Sequence, residues 1–124
     1  MRRRPEAATF PGLLIWRMGG DLFFASIEHI STALKASLAA RPDVKRVLLV
    51  CAAVNFIDVS AGDELLGLIK ELQKMDITVA FVRVRDAVRD DMKRAGIEAI
   101  VGAGNFYERT TDGVHAWQRQ GSVA

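Results

Sequence analysis

Apolar positions along this chain fall into short runs whose spacing switches between two periods. Leu13–Met18 is a largely apolar run after Pro11-Gly12, Gly19-Gly20-Asp21 marks a turn, and Leu22-Phe23-Phe24-Ala25 resumes in strand-like composition. That arrangement predicts a hairpin. Ser26 then stands where a helix cap is expected, ahead of Ile27, Ile30, Leu34 and Leu38 at helical spacing, and Pro42 closes the helix. Arg46–Cys51 (RVLLVC) carries apolar residues on both faces and reads as a buried strand. A second helix places Leu65, Ile69 and Leu72 on one face, and Ile77–Val82 (ITVAFV) is another buried strand. Asp86 is positioned to cap a third helix carrying Val88 and Met92, which Gly96 stops. Ile97–Val101 predicts a last strand, 102–105 a loop, and Thr111–Gln118 a final helix anchored by Val114 and Trp117.

Strands alternating with helices after an initial hairpin predict an α/β fold with a mixed, mostly parallel central sheet and flanking helices. In such folds ligands and partners meet the loops at the carboxyl ends of the parallel strands, where helix N-termini gather. Ser26, Asn55–Ser60, Arg83–Asp86 and 102–105 all fall at that rim.

Composition narrows the classes. At 124 residues the chain is expected to be one domain over 11–118, with a basic arm or linker at 1–10 and a tail at 119–124. Half of the residues are hydrophobic and 26% are charged, which argues against disorder. A single cysteine, Cys51, has no partner for a disulfide and lies at the end of an apolar run, as a buried small hydrophobe would. The net charge of +2 owes much to Arg2, Arg3 and Arg4, a short basic run with no apolar segment behind it to make a secretory signal. Apolar stretches all stay under ten residues, too short to span a membrane.

The stretch FIDVSAGDELL, Phe56–Leu66, raises the functional question through Ser60. Its spacing to Asp63 fits a capping box, which by itself accounts for the serine. A nucleophile elbow would need glycine where Asp58 stands, and an aspartate is too weak a base to activate the hydroxyl, which leaves His29 as the only histidine at the right end of the sheet. The other histidine, His115, is near the C-terminus. A hydroxyl at a helix N-terminus is also a good phosphate acceptor, although Asp58, Asp63 and Glu64 would repel the added charge. No Walker A sequence, complete dinucleotide fingerprint or metal-ligand spacing is present, and no basic-aromatic cluster suggests nucleic acid. Neither a cofactor nor a metal is expected.

The segment VKRVLLVCAAVNFIDVSAGDELLGLIKELQKMDITVAFVRVRDAVRDDMKRAGI resembles the STAS domain, shared by sulfate-permease-type anion transporters and anti-sigma factor antagonists. PGLLIWRMGGDLFFASIEHI and NFYERTTDGVHAW are similar to the transporter branch, so the resemblance covers about 11–118. It implies a non-catalytic cytoplasmic regulatory domain at the inner face of the membrane. Its partner would be the transporter's transmembrane domain, absent from this chain, or a regulatory protein, with weak nucleotide binding also suggested by the family. Antagonists carry an Asp-Ser-Ser/Thr-Gly loop whose second hydroxyl residue is phosphorylated, and aligning Asp58 puts Ser60 on that position, between Val59 and Ala61. The alternatives are a stand-alone antagonist switched at Ser60 and, more remotely, a serine hydrolase. The interaction loop is expected to comprise Asn55, Asp58, Gly62 and Asp63. Arg83 and Arg85, two apart on a strand, are expected to face one way and contact an anion or acidic partner.

Overall fold

Alternation along each strand assigns the two sides of the sheet. The computed structural model describes residues 10–123. In strand β2 (Arg46–Val50) every residue is buried, Val47 and Leu49 in a large cluster on one face, Leu48 and Val50 in a smaller one on the other. Strands β1 (Leu13–Arg17), β2, β3 (Thr78–Val82) and β4 (Phe106–Tyr107) lie side by side in that order, and every ladder is parallel. Such a sheet needs helical crossovers between strands.

Those crossovers cover the large cluster. Helix α1 (Phe24–Ala40) contributes Ile27, Leu34 and Leu38, and α2 (Val59–Lys74) contributes Leu65, Leu68, Ile69 and Leu72. Helix α3 (Asp86–Ala95) adds Val88 and Met92, and the short α4 (Ile97–Val101) adds its two ends. The opposite face is covered by α5 (Thr110–Val123), whose Val114 and Trp117 pack with Leu13, Leu48 and Val82. Gly113 allows that approach, since a Cβ there would lie 2.8 Å from a methyl of Leu48. Trp117 donates its indole N–H to the Pro11 carbonyl at 2.8 Å, which ties α5 to the turn before β1.

Several elements differ from the sequence expectation. Leu22–Ala25 does not pair with β1 as a hairpin. The Met18 amide instead donates to Val50, continuing the parallel contact with β2, while Leu22 makes a parallel bridge to Ile57 and Phe24 already starts α1. The antiparallel contact among the described residues is the Phe10–Leu13 bridge, across a turn that Gly12 completes at φ +77°. Ile97–Val101 is helix α4, not a strand. Its two buried positions are four apart, as a helix face requires, and the fourth strand is Phe106–Tyr107. Ser26 is the third helical residue of α1 and accepts from the Phe23 amide, and Asp86 is the first residue of α3 rather than its cap. Gly96 does end α3, at φ +88°. The basic arm Arg2–Arg4 lies outside the described residues, and α5 runs on through the expected tail to Val123.

Candidate functional site

Two loops are clamped together at the carboxyl end of the sheet. After β2 the chain turns tightly, the Val54 amide donating to Cys51 at 3.0 Å. The Leu22 amide then donates to Phe56, and the Asp58 amide to Leu22, both at 2.9 Å. The Asp21 carboxylate accepts from the Asn55 amide at 2.8 Å, closing the same clamp from the other loop. Leu22 and Ile57 are buried by this pairing, so their neighbours must point away. Phe23 and Phe56 accordingly meet outside the core with ring centroids 5.8 Å apart.

Ser60 is not the cap of α2. Asp58 is: its carboxylate accepts from the Ser60 amide at 3.2 Å and from the Ser60 hydroxyl at 2.6 Å. The Ser60–Asp63 capping box is not formed, because the helix begins at Val59 and Asp63 lies a full turn inside it, exposed. Gly62 is buried where α2 crosses α3, and a Cβ there would stand 3.3 Å from that of Ala95. Asp58, Val59, Gly62 and Asp63 share a depression of about 230 Å³ with Asp91 and Arg94 of α3.

Arg83 and Arg85 belong to a different depression. Strand β3 stops at Val82, and Arg83 takes the left-handed backbone at φ 59° while its amide donates to Tyr107. The two-residue alternation of a strand therefore does not apply to this pair. The Arg85 guanidinium donates to the Ala52 carbonyl at 2.9 Å. Arg89, which the sequence reading overlooked, lies one helical turn beyond Arg85, stacked 4.1 Å from the Phe106 ring centroid and bonded to Glu98 at 3.0 Å. These three arginines line an open depression of about 300 Å³ with Phe106, Tyr107 and Glu108. The four-residue spacing of Arg85 and Arg89 was a legible signal of a shared helix face. Ser60 does not line this depression, so the rim is two subsites rather than one.

The chemistry available at the rim is limited. The hydroxyl proton of Ser60 is directed to a carboxylate, and exposed His29 on α1 makes no bond to it. Cys51 is buried, which pushes its thiol up to about 12 and keeps it protonated. Among the described residues no group of three or more His, Cys, Asp or Glu side chains could hold a metal ion, and no helix is long and apolar enough to cross a membrane.

The fold has crossover helices on one face of a parallel sheet, α5 on the other, and the capped N-terminus of α2 at the rim. The STAS domain family model matches residues 4–113, and the chain belongs to that family. Among its relatives is "Probable sulfate transporter 4.2" of Arabidopsis thaliana, 32% identical over 92% of this chain and 18% of the transporter. A probable sulfate transporter of Mycobacterium tuberculosis is 26% identical over 94% of the chain and 21% of its own length. The chain thus spans about a fifth of the length of these curated relatives. The SulP transporter STAS domain of Vibrio cholerae has the same fold, with a TM-score of 0.79 at 22% identity over 94% of this chain and 89% of that one. The anti-sigma factor antagonist SpoIIAA in its unphosphorylated form is more distant, with a TM-score of 0.68 at 16% identity over 91% and 93%.

Proposed function

We propose that this chain is a non-catalytic regulatory and protein-interaction domain of a sulfate-permease-like anion transporter, held at the cytoplasmic face beside that transporter's transmembrane domain. The observation that carries this reading is the alignment of nearly the whole chain with about a fifth of a sulfate transporter. The domain acts by binding through the rim and does no chemistry, since the Asp58 carboxylate beside Ser60 is too weak a base to make it a nucleophile at neutral pH. The depression lined by Arg83, Arg85 and Arg89 is its anion-facing subsite, where weak nucleotide binding would fall. The test is the full reading frame expressed in a host lacking sulfate uptake. The frame should encode about ten apolar spans of ~20 residues, and removal of 11–118 should reduce or deregulate uptake. A frame without spans, beside a gene for a kinase-like anti-sigma factor, would overturn the proposal.

That outcome would favour a stand-alone antagonist switched by phosphorylation of Ser60. One observation favours this second reading: the Ser60 side chain is exposed in the first turn of α2, at the positive end of the helix dipole. Incubation with an anti-sigma kinase followed by mass spectrometry decides it, a single phosphate on Ser60 being the expected product.

A further inference from the structure

The clamp between the Leu22 and Ile57 segments leaves large apolar side chains in water. Phe23 is 50% exposed, Phe24 44%, Phe56 46% and Val59 82%, although the remainder of α1 and α2 buries its apolar residues normally. Phe23 and Phe56 already hold each other, so that aromatic pair is preorganised. Phe24 follows Phe23 in sequence and Val59 follows the Phe56–Asp58 stretch, so four large apolar side chains are exposed from the two clamped segments, and exposed apolar surface that clusters marks an interaction site more often than scattered single residues do.

The charge around the patch is one-sided. It is built from residues 18–34 and 51–69, which contain five carboxylates, Asp21, Glu28, Asp58, Asp63 and Glu64, and no lysine or arginine, while Lys35 at the edge of the α1–α2 groove is already paired with Glu71. The chain as a whole carries net charge +2, so the asymmetry is local. Asp63 lines both the depression toward α3 and a second groove between α1 and α2, which Glu64, Ile27 and Ser31 also line. The cation beside the first depression, Arg94, is engaged by Asp91 of its own helix. Two helix N-termini also point here, each equivalent to roughly half a positive charge. Together they offset about one of the five carboxylates, and Asp58 already occupies one of them. The patch is therefore apolar at its centre and anionic at its edge.

We infer that the Phe23–Phe24–Phe56–Val59 patch docks a cationic, amphipathic protein segment, whose apolar side chains cover the phenylalanines while its lysines or arginines meet Asp63, Glu64 and Glu28. An aromatic centre with a charged rim is the arrangement from which interfaces draw affinity and specificity respectively. An anionic membrane surface is disfavoured by the same carboxylates, as is an acidic partner. This deepens the binding reading above by naming the partner's chemistry. It is tested on the 124-residue chain alone, so its failure leaves the transporter assignment standing.

The probe is a fluorescent helical peptide of leucine and lysine, compared with one in which glutamate replaces every lysine. Amide shifts in the labelled protein report where each binds. The lysine peptide should shift residues 21–28 and 55–64, and the glutamate peptide should not bind. Phe56→Ser and the double variant Asp63→Lys, Glu64→Lys should each weaken the lysine peptide by about tenfold or more, while the exposed control Asp90→Lys on α3 leaves it unchanged. Circular dichroism confirms that each variant remains folded. Equal binding of both peptides, shifts confined to other residues, or no binding would overturn the inference. So would wild-type dimerisation, or capture by phosphatidylserine vesicles, that Phe56→Ser abolishes.

Discussion

The Ser60 hydroxyl donates to the Asp58 carboxylate at 2.6 Å, while the same carboxylate accepts from the Ser60 amide, so the serine supports the cap of α2 without being it. Removing the acceptor costs more than removing the donor. Asp58→Ala should lose about 0.5–2 kcal/mol of unfolding free energy, and Ser60→Ala about 0.5–1.5 kcal/mol for one hydrogen bond. Ser60→Asp should also destabilise, because it replaces a donor with a second carboxylate beside the first. Urea denaturation at neutral pH checks the order. A Ser60→Ala loss larger than that of Asp58→Ala would contradict the assignment.

Two glycines in helices should respond to alanine with opposite signs. Gly67 in α2 has open space where its Cβ would be, so alanine there gains helix propensity of about 0.5–1 kcal/mol. Gly113 in α5 would place a Cβ 2.8 Å and 2.9 Å from the two methyls of Leu48, which is fully buried under the helix. Leu48 has nowhere to move, and overpacking of about 1–3 kcal/mol outweighs the propensity gain. Thermal melts should rise for Gly67→Ala and fall for Gly113→Ala.

Among the described residues, Asp43 and Cys51 are shifted from their ordinary values and make stability depend on pH. The Arg41 guanidinium, with help from the Gly12 amide, holds Asp43 down at about 2 from an ordinary 3.8. Its stabilisation is complete above pH 3.8 and is lost as pH falls through 2, so Asp43→Asn should flatten the acid limb of the stability curve in that window. Cys51 acts at the other end. Burial raises it from 9.0 to about 12, so its contribution is complete below pH 9.0 and fades as pH rises toward 12, where the unfolded thiol alone ionises. Stability measured between pH 9.0 and 12 should fall less steeply in Cys51→Ala. The native thiol should react with an aromatic disulfide only at the rate of unfolding.

The sequence was legible where one period ran for several turns or where both faces were apolar. Leu65, Ile69 and Leu72 located α2, and RVLLV located the central strand, because burial on one or two faces leaves a pattern over many residues. It was misleading where an element was too short to repeat its period more than once. IEAIV is compatible with either a buried strand or one helical turn, and only the register of Phe106–Tyr107 against Phe81–Val82 decides between them. At the rim, residue types were readable and contacts were not. Asp58 and Ser60 stood in view, but which of them capped depended on where α2 began, a matter of two residues. Phe23 read as a strand residue and Phe56 as part of the rim loop, and neither was seen as exposed, because their exposure arises from a clamp between segments more than thirty positions apart.

The separation of the two rim subsites gives the last prediction. Arg83, Arg85 and Arg89 line one depression and Asp58 lines the other, so a small anion and a cationic peptide should bind without competing. Anion affinity should be weak, because Arg89 is already engaged by Glu98 and Arg85 by the Ala52 carbonyl, while Asp86 and Glu108 line the same space. Arg83 is the cation with the most to offer, but its left-handed backbone costs of order 1–3 kcal/mol in native stability. Arg83→Gly should therefore remove the strain and raise the melting temperature, while abolishing the amide shifts that a nucleoside triphosphate induces at 83–89 and 106–108. Arg85→Gln should weaken those shifts and also loosen the turn at Ala52. Nucleotide shifts that appear instead at 55–64, or that survive Arg83→Gly unchanged, would show that the arginines are solvated charges at the end of a strand.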